Sequence, residues 1–227
     1  MPDVLGEALV DYYNGKADTL WINNKYGSPE EMPIEVFFRE KEELTTLEQK
    51  ALLNCKGVVL DVGAAAGAIS LMLQDDFDLT AIESSEGACQ VMKALGIRNG
   101  IVGDIFDYNN AKFDTLILLM NGIGLVGTID NLPTALLHFK SLLTQKGQIL
   151  LDSSDISYLY EGKEKPKHHY YGQIQYQYEY KNKKGDWFNW LYIDRETLQK
   201  QAAKVGLHCE LLFEDENDQY LVKLTNK

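Results

Sequence analysis

Five stretches of this chain are nearly unbroken apolar runs that end in a polar side chain. They cover residues 58–62 with Asp61, 77–83 with Glu83, 101–105 with Asp104, 113–122 with Asn121, and 147–154 with Asp152. A short continuous apolar run reads as a strand buried on both faces, as in a parallel sheet covered by helices. A different rhythm follows residue 173. There Ile174, Tyr176, Tyr178 and Tyr180 alternate with Gln175, Gln177, Glu179 and Lys181, a period of two that predicts an amphipathic strand. The polar turn 181–186 then leads to a second strand at 187–193, so a β-hairpin is expected. Toward the end, Asp194 can cap a helix through Thr197, Leu198, Gln201 and Ala202, closed by Gly206. Strands at 208–214 and 220–224, joined by the polar turn 215–218, finish the chain.

The first 54 residues read as helical. Leu5, Ala8, Leu9 and Tyr12 share one face of a helix over 3–14, with Gly15 as its stop. After the break at Gly27, Ser28 and Pro29, Pro33 can start a second helix through Ile34, Phe37 and Phe38. Thr45 with Glu48 fits a capping box for a third, ending near Asn54.

The loop after the first apolar run, Gly63-Ala64-Ala65-Ala66-Gly67, holds only Gly and Ala and opens a helix whose apolar residues are Ile69, Leu71, Met72 and Leu73. A strand, a tight small-residue turn and a helix N-terminus form a nucleotide-type cofactor site. The dinucleotide register Gly-x-Gly-x-x-Gly finds Gly63, Ala65 and Ala68, a single glycine. The register Gly-x-Gly-x-Gly finds Gly63, Ala65 and Gly67. With Asp61 in front, this string resembles motif I of the class I S-adenosylmethionine (SAM)-dependent methyltransferases. A carboxylate follows about 20 residues on at Glu83, where an acid can accept from ribose hydroxyls. In a parallel α/β sheet the carboxyl ends of the strands share one edge, so Asp61, Glu83, Asp104, Asn121 and Asp152 are expected on one rim.

The resemblance covers about residues 45 to 225 and implies a Rossmann-like α/β fold. Its sheet is seven-stranded and mostly parallel, with helices on both faces, an N-terminal helical lid (1–44), a SAM-binding core (45–155), an aromatic β-hairpin insertion (156–193) and a C-terminal helix and hairpin (194–227). It further implies that Asp61, Gly63, Ala64, Ala65 and Gly67 line the methionine part of SAM and that Glu83 with Ser84 holds the ribose. Asp104 then faces the adenine amino group, with Ile105 against the ring and Asn121 at the rim. Many amino-group methyltransferases carry Asn/Asp-Pro-Pro-Tyr/Phe after the fourth strand; here the segment is Asn121-Gly122-Ile123-Gly124. Arg39 and the Tyr12-Tyr13 pair are candidate lid contacts. Arg39 either pairs with the carboxylate of SAM or is a surface group beside Glu40 and Glu42.

Methyl transfer from SAM is an in-line displacement, and a hydroxyl or carbon acceptor needs a base where a neutral amine needs alignment. The candidates for catalytic work are Asp152, Asn121 and Asp155, with Tyr158 or Tyr171 reaching in from the insertion. Asp155 has a second reading as the cap of the next turn. The insertion carries a dense set of Tyr and Trp rings, which either wall an acceptor pocket or pack on the sheet or on another subunit. Lys163, Lys165, Lys167, His168 and His169 form a basic run, either attractive to acidic ligands or a solvated loop, and their spacing implies no metal site.

The chain has 227 residues, three cysteines and a net charge of −12. An acidic chain is poorly suited to bind nucleic acid, whose affinity comes from neutralising phosphates. No apolar run approaches about 18 residues and no basic segment precedes an apolar one at the N-terminus, so neither a membrane span nor a signal peptide is expected. Scattered, unpaired cysteines fit a cytoplasmic protein, as a monomer or homodimer. The expected function is a SAM-dependent methyltransferase releasing S-adenosylhomocysteine (SAH) and acting on a small molecule. The alternatives are a catalytically silent SAM-binding protein and an NAD-dependent oxidoreductase.

Overall fold

The computed structural model describes residues 2–227. Its strands are β1 (Leu20–Asn24), β2 (Glu30–Glu31), β3 (Val58–Val62), β4 (Asp78–Glu83), β5 (Gly100–Val102), β6 (Phe113–Leu118), β7 (Leu143–Ser154), β8 (Gln173–Tyr180), β9 (Lys183–Lys184), β10 (Phe188–Leu191), β11 (Leu207–Glu214) and β12 (Gln219–Asn226). Its α-helices are α1 (Val4–Tyr13), α2 (Thr46–Leu53), α3 (Ala68–Leu73), α4 (Glu86–Leu95), α5 (Leu132–Ser141) and α6 (Arg195–Lys204). Seven strands form one sheet in the order β11-β12-β7-β6-β3-β4-β5. The β4–β5 and β6–β7 pairs are parallel, and β12 is antiparallel to both β7 and β11. This is a Rossmann-like α/β fold with the expected strands and the expected antiparallel hairpin at the end. The residues at its helix starts do the work expected of them: Thr45 and Glu48 form a capping box, and Asp194 accepts from the Thr197 amide.

The chain divides into two units by internal packing. The first contains the chain up to Leu44, Leu60–Tyr108 and Gln175–Phe188; the second contains Thr45–Val59, Asn109–Ile174 and Asn189–Lys227. In the first unit α1 lies against α4 at a close crossing where a Cβ added to Gly87 would fall 2.6 Å from the Gly6 carbonyl carbon. Asp3 ties the pair together: Oδ1 accepts from the Gly6 amide, and Oδ2 accepts from Ser85 Oγ and the Gly87 amide. Val4, Ala8, Leu9, Leu20, Ile34, Phe37, Ala66 and Tyr180 join α4 residues Ala88 and Val91 in one apolar cluster.

The N-terminal segment differs from the helical expectation. Only α1 is an α-helix; 34–37 and 41–43 are single 3-10 turns, and 20–24 and 30–31 are strands. β1 pairs antiparallel with β8, Leu20 opposite Tyr180 and Asn24 opposite Tyr176, and β2 flanks it on the other edge. The reason is tertiary. A five-residue strand has no stability alone, and its partner lies more than 150 residues later in the sequence. The alternating tyrosines of β8 have a clear outcome: Tyr176 and Tyr180 are buried. The Tyr180 hydroxyl accepts from the Asp18 amide and donates to Asp11.

In the second unit the central pair is β6 and β7, with Leu118 beside Leu151, so Asp152 stands one residue past the end of β6. Across the ladder Asp152 pairs with Leu221 of β12 and Ser153 with Tyr220. Leu116, Ile117, Leu136, Phe139, Ile149, Leu150, Leu198 and Val222 fill the interior around them. Replacing the buried Leu20 by Ala should lower unfolding stability by about 2–5 kcal/mol, read by denaturant titration, because β1 is held chiefly by the apolar cluster it enters.

Candidate functional site

The small-residue loop in the first unit is turned by backbone angles few residues adopt. Gly63, Ala65 and Gly67 have φ of 69°, 48° and 87°. Glycine tolerates this region freely, whereas alanine at 65 carries strain. The loop is fastened to β4 at both ends of the turn. The Gly63 and Ala64 amides donate to the Ile82 carbonyl, and the Ala65 amide donates to Glu83 Oε2 at 3.0 Å. Glu83 Oε1 in turn accepts from Ser84 Oγ and the Ser85 amide. A carboxylate offers about four acceptor sites, so Oε2 of this buried acid keeps capacity for a hydroxyl donor. Gly63 is exposed, leaving bare main chain at the mouth of the turn.

Two other residues of the motif serve the loop from inside. Asp61 is buried and its Oδ2 accepts from Ser70 Oγ at 2.6 Å, pinning β3 to α3. Burial, reinforced by Glu83 and partly offset by the Ser70 hydroxyl, raises its carboxyl to about 6. Gly67 is buried too, and a Cβ there would meet Met92 Cγ at 2.9 Å, so packing demands glycine whatever ligand the loop holds. Asp104 is exposed at the end of β5 and caps a short turn by accepting from the Phe106 amide. Ile105 is buried, while Val102 and Phe106 on either side of Asp104 present apolar surface. Arg39 is half-buried at a cleft of about 350 Å³ lined also by Phe37, Phe38, Ala68, Leu71 and Met72, and its Nε donates to the Val36 carbonyl. Acceptors for hydroxyls, an apolar shelf beside an exposed acid, and an open main-chain turn together fit an adenosyl group.

The second unit brings Asn121, Ser153, Asp152 and Asp155 into two arrangements. Met120 and Asn121 both take left-handed angles, φ 58° and 55°, at the turn after β6. The Asn121 side chain is held from both sides: Oδ1 accepts from Ser153 Oγ and Nδ2 donates to the Leu191 carbonyl. Ser153 Oγ also accepts from the Ile193 amide, and Tyr220 donates to the Ile193 carbonyl. Asp155 accepts from the Ser157 amide, as a turn cap does, and from the Tyr171 hydroxyl at 2.6 Å. Tyr170 donates to Asp194 Oδ2, which Tyr171 also approaches. Burial opposes charge on Asp194, yet the Tyr170 and Thr197 donors hold it below its ordinary value. Tyr158, the other ring expected to reach in, is exposed.

Asp152 is different. It is half-buried, its Oδ1 is closed off from solvent, and among the described residues no donor reaches that oxygen. Burial raises its carboxyl to about 7; the amides of Asn121 and Gly122 resist this, and the nearby Glu48 adds to it.

Comparison with known proteins decides the family. Neither a protein-family model nor a curated protein sequence matches the chain. Among solved structures it resembles a SAM-dependent methyltransferase from Bacteroides fragilis in complex with SAH, at 36% identity and TM-score 0.91, over 100% of this chain and 97% of that one. The chain belongs to the class I SAM-dependent methyltransferases. Its cofactor is therefore SAM and not a nicotinamide dinucleotide. Two further structures share the fold of the methyltransferase. The sugar N-methyltransferase KedS8 from Streptoalloteichus sp ATCC 53650 matches at 14% identity and TM-score 0.57, over 90% of this chain and 97% of that one. CalS10, an amino pentose methyltransferase from Micromonospora echinaspora with SAM bound, matches at 13% identity and TM-score 0.55, over 80% and 88%.

Sequence reasoning missed several groups in the methyltransferase. Ser153 and Asp194 gave no signal beyond strand and helix cap, although they anchor Asn121 and the Tyr170-Tyr171 pair. Trp190 was one ring among many, yet its indole packs so closely on the turn after β6 that a Cβ at Gly124 would fall 2.2 Å from its Nε1 and Cε2. The basic run is solvent-facing; Lys167 pairs with Glu164, and Lys165 stands 3.9 Å over the Tyr171 ring. No helix of the described residues is long and apolar enough to cross a membrane.

Asp61 and Asp152 set a pH dependence. Both carboxyls are raised in the folded state, to about 6 and about 7, from an ordinary 3.8. Between those values the native state binds more protons than the unfolded one, so stability falls as pH rises and the loss is complete above about pH 7. Asp152→Asn should flatten that fall and stabilise the ligand-free protein at pH 8 by an amount on the order of a few kcal/mol, measured by denaturant melts from pH 4.5 to pH 8.

Proposed function

We propose that this methyltransferase moves the methyl group of SAM to a small-molecule acceptor, the first unit binding the cofactor. Glu83, with Ser84 beside it, takes the ribose hydroxyls. Asp104 takes the adenine amino group, with the ring against Ile105 and the exposed Val102 and Phe106. Gly63, Ala64, Ala65 and Gly67 accommodate the methionine part, with Asp61 holding the turn from beneath. Arg39 pairs with the carboxylate. The observation that carries this reading is Glu83: a buried acid that fixes the loop through the Ala65 amide while Oε2 keeps acceptor capacity.

When bound, SAM supplies a methyl group on a positively charged sulfur, a leaving group that needs no acid. The residues of this chain bind, orient and exclude water. In the second unit Asn121 and Asp155 hold the frame of the acceptor region through Ser153, Leu191 and Tyr171. Asp152 has the spare acceptor and stands as base or positioning group. The small size of the acceptor is supported by the net charge of −12, which disfavours nucleic acid, and by the sugar substrates that KedS8 and CalS10 are named for.

The test is calorimetric titration with SAH and with NAD. SAH is expected to bind and NAD not to. Glu83→Gln keeps an acceptor for the Ala65 amide but loses the charge, and should weaken SAH about tenfold or more. Tighter binding of NAD than SAH, or SAH affinity unchanged in Glu83→Gln, would overturn the reading.

A further inference from the structure

We propose that the cleft beside α3 is a second ligand site, separate from the cofactor's, and that it takes a small amphipathic carboxylate. The apolar body lies between Phe38, Leu71 and Leu95, and the carboxylate pairs with Lys41. This goes beyond the function proposed above and does not depend on it.

The cleft lies wholly within the first unit, and α3 separates it from the cofactor loop. Ser70 and Leu73, three residues apart, face the interior: Ser70 Oγ donates to Asp61, and Leu73 is buried. Ala68, Leu71 and Met72, at i, i+3 and i+4, share another face, and that face lines the cleft. Leu95, the last residue of α4, lines it as well. α4 begins at Glu86, just after Glu83, and at 1.5 Å per residue Leu95 stands about 13 Å farther along its axis. Of the residues given to the cofactor above, Arg39 alone is part of the lining; Gly63, Ala64, Glu83 and Asp104 are not. The cleft therefore runs down the helix, away from the turn that takes SAM.

The lining has the character of a small-molecule site. Its volume of about 350 Å³ falls at the small end of the usual range of about 300–1,000 Å³. One wall is held in place by the protein itself. The Phe38 ring lies against Tyr12 with centroids 4.7 Å apart, and the Phe38 amide donates to the Glu35 carbonyl. Phe37 is buried, whereas Phe38, Leu71, Met72 and Leu95 are half-buried, so apolar surface is left for a ligand to cover. Met72 adds an unbranched chain that adapts to the shape of an occupant.

The charge at the cleft selects the occupant. Its polar members are Arg39, Glu40 and Lys41, two cations against one acid in a chain whose net charge is −12. Glu40 closes a capping box with Glu43, whose Oε2 accepts from the Glu40 amide. Lys41 is exposed and forms no ion pair with a carboxylate of the described residues, although Glu40 and Glu42 flank it in sequence. An apolar wall edged by net positive charge suits a ligand with an apolar body and one anionic group. It disfavours an amine of the same shape. An exposed ion pair changes affinity only a few-fold, so the apolar body supplies most of the binding and Lys41 the preference for a carboxylate.

The probe is octanoate, with octan-1-ol and octylamine as its neutral and cationic counterparts, titrated calorimetrically into the protein with and without SAH. Octanoate is expected to bind about threefold or more tightly than octan-1-ol, with octylamine weakest, and to bind equally well whether SAH is present or not. Lys41→Gln should remove the preference for octanoate over octan-1-ol, and Leu71→Gln should weaken both about threefold or more. SAH affinity should change less than about twofold in either variant, which also reports that each is folded; Lys41 is exposed, so its variant tests the site even if Leu71→Gln does not fold. Absence of octanoate binding, octan-1-ol or octylamine bound as tightly as octanoate, or a preference that survives Lys41→Gln overturns the proposal. Displacement of octanoate by SAH also overturns it, by making the cleft part of the cofactor site. Self-association of the ligand-free protein that Leu71→Gln abolishes, read by sedimentation, overturns it by giving the cleft to a second copy of the chain. Octanoate binding in a protein that fails to bind SAH removes the cofactor reading and leaves this one standing.

Discussion

The hydrogen bond from the Ala65 amide to Glu83 is the contact on which the cofactor loop depends. It lets a non-glycine residue rest at φ 48°, a conformation that costs on the order of 1 kcal/mol or more without compensation. It also joins the end of β3 to the end of β4, so the loop cannot shift without moving the acid. The same carboxylate caps toward α4 through the Ser85 amide, and Ser85 is bound to Asp3 of the N-terminal segment. One buried acid therefore couples the loop, α4 and α1. A motif with alanine in its middle position works here because the fastening is supplied from β4 and not by glycine's freedom alone.

A similar economy governs the second unit. Asn121, at first sight a polar group offered to a ligand, spends its side chain on Ser153 and Leu191. Asp155 and Asp194 spend theirs on the two adjacent tyrosines and on turn caps. Burial and the neighbouring acids push both tyrosine hydroxyls well above their ordinary value, so they remain donors across the working pH range. These bonds fix the end of β7, the start of α6 and the segment before β8 relative to one another. Asp152, whose Oδ1 alone lacks a donor among the described residues, is held at a cost: a carboxyl raised toward neutrality by burial beside Glu48. Stability given up at one position of an otherwise satisfied network is how functional groups stand out in folded proteins.

The amino-acid sequence determined the strands, because continuous apolar runs leave a residue little choice but a sheet buried on both faces. It also determined the cofactor class, through Gly63, Gly67 and the acid that follows at Glu83, and the helix starts at Thr45 and Asp194, where a local side chain meets a local amide. The aromatic hairpin was legible from its period of two. Local chemistry of this kind is written in neighbouring residues and needs no partner to be read.

Only the tertiary structure decided the rest. Residues 20–24 became a strand because β8, more than 150 residues away, offered an edge; their own length could not have held them extended. Gly67 and Gly124 look alike in sequence, but one makes room for Met92 and the other for Trp190. Asn121, Asp152 and Asp155 are three polar residues near strand ends, equal candidates by sequence. The fold gave donors to two of them and left an oxygen of the third without one, since hydrogen-bond partners across a sheet are set by register and burial and not by neighbours along the chain.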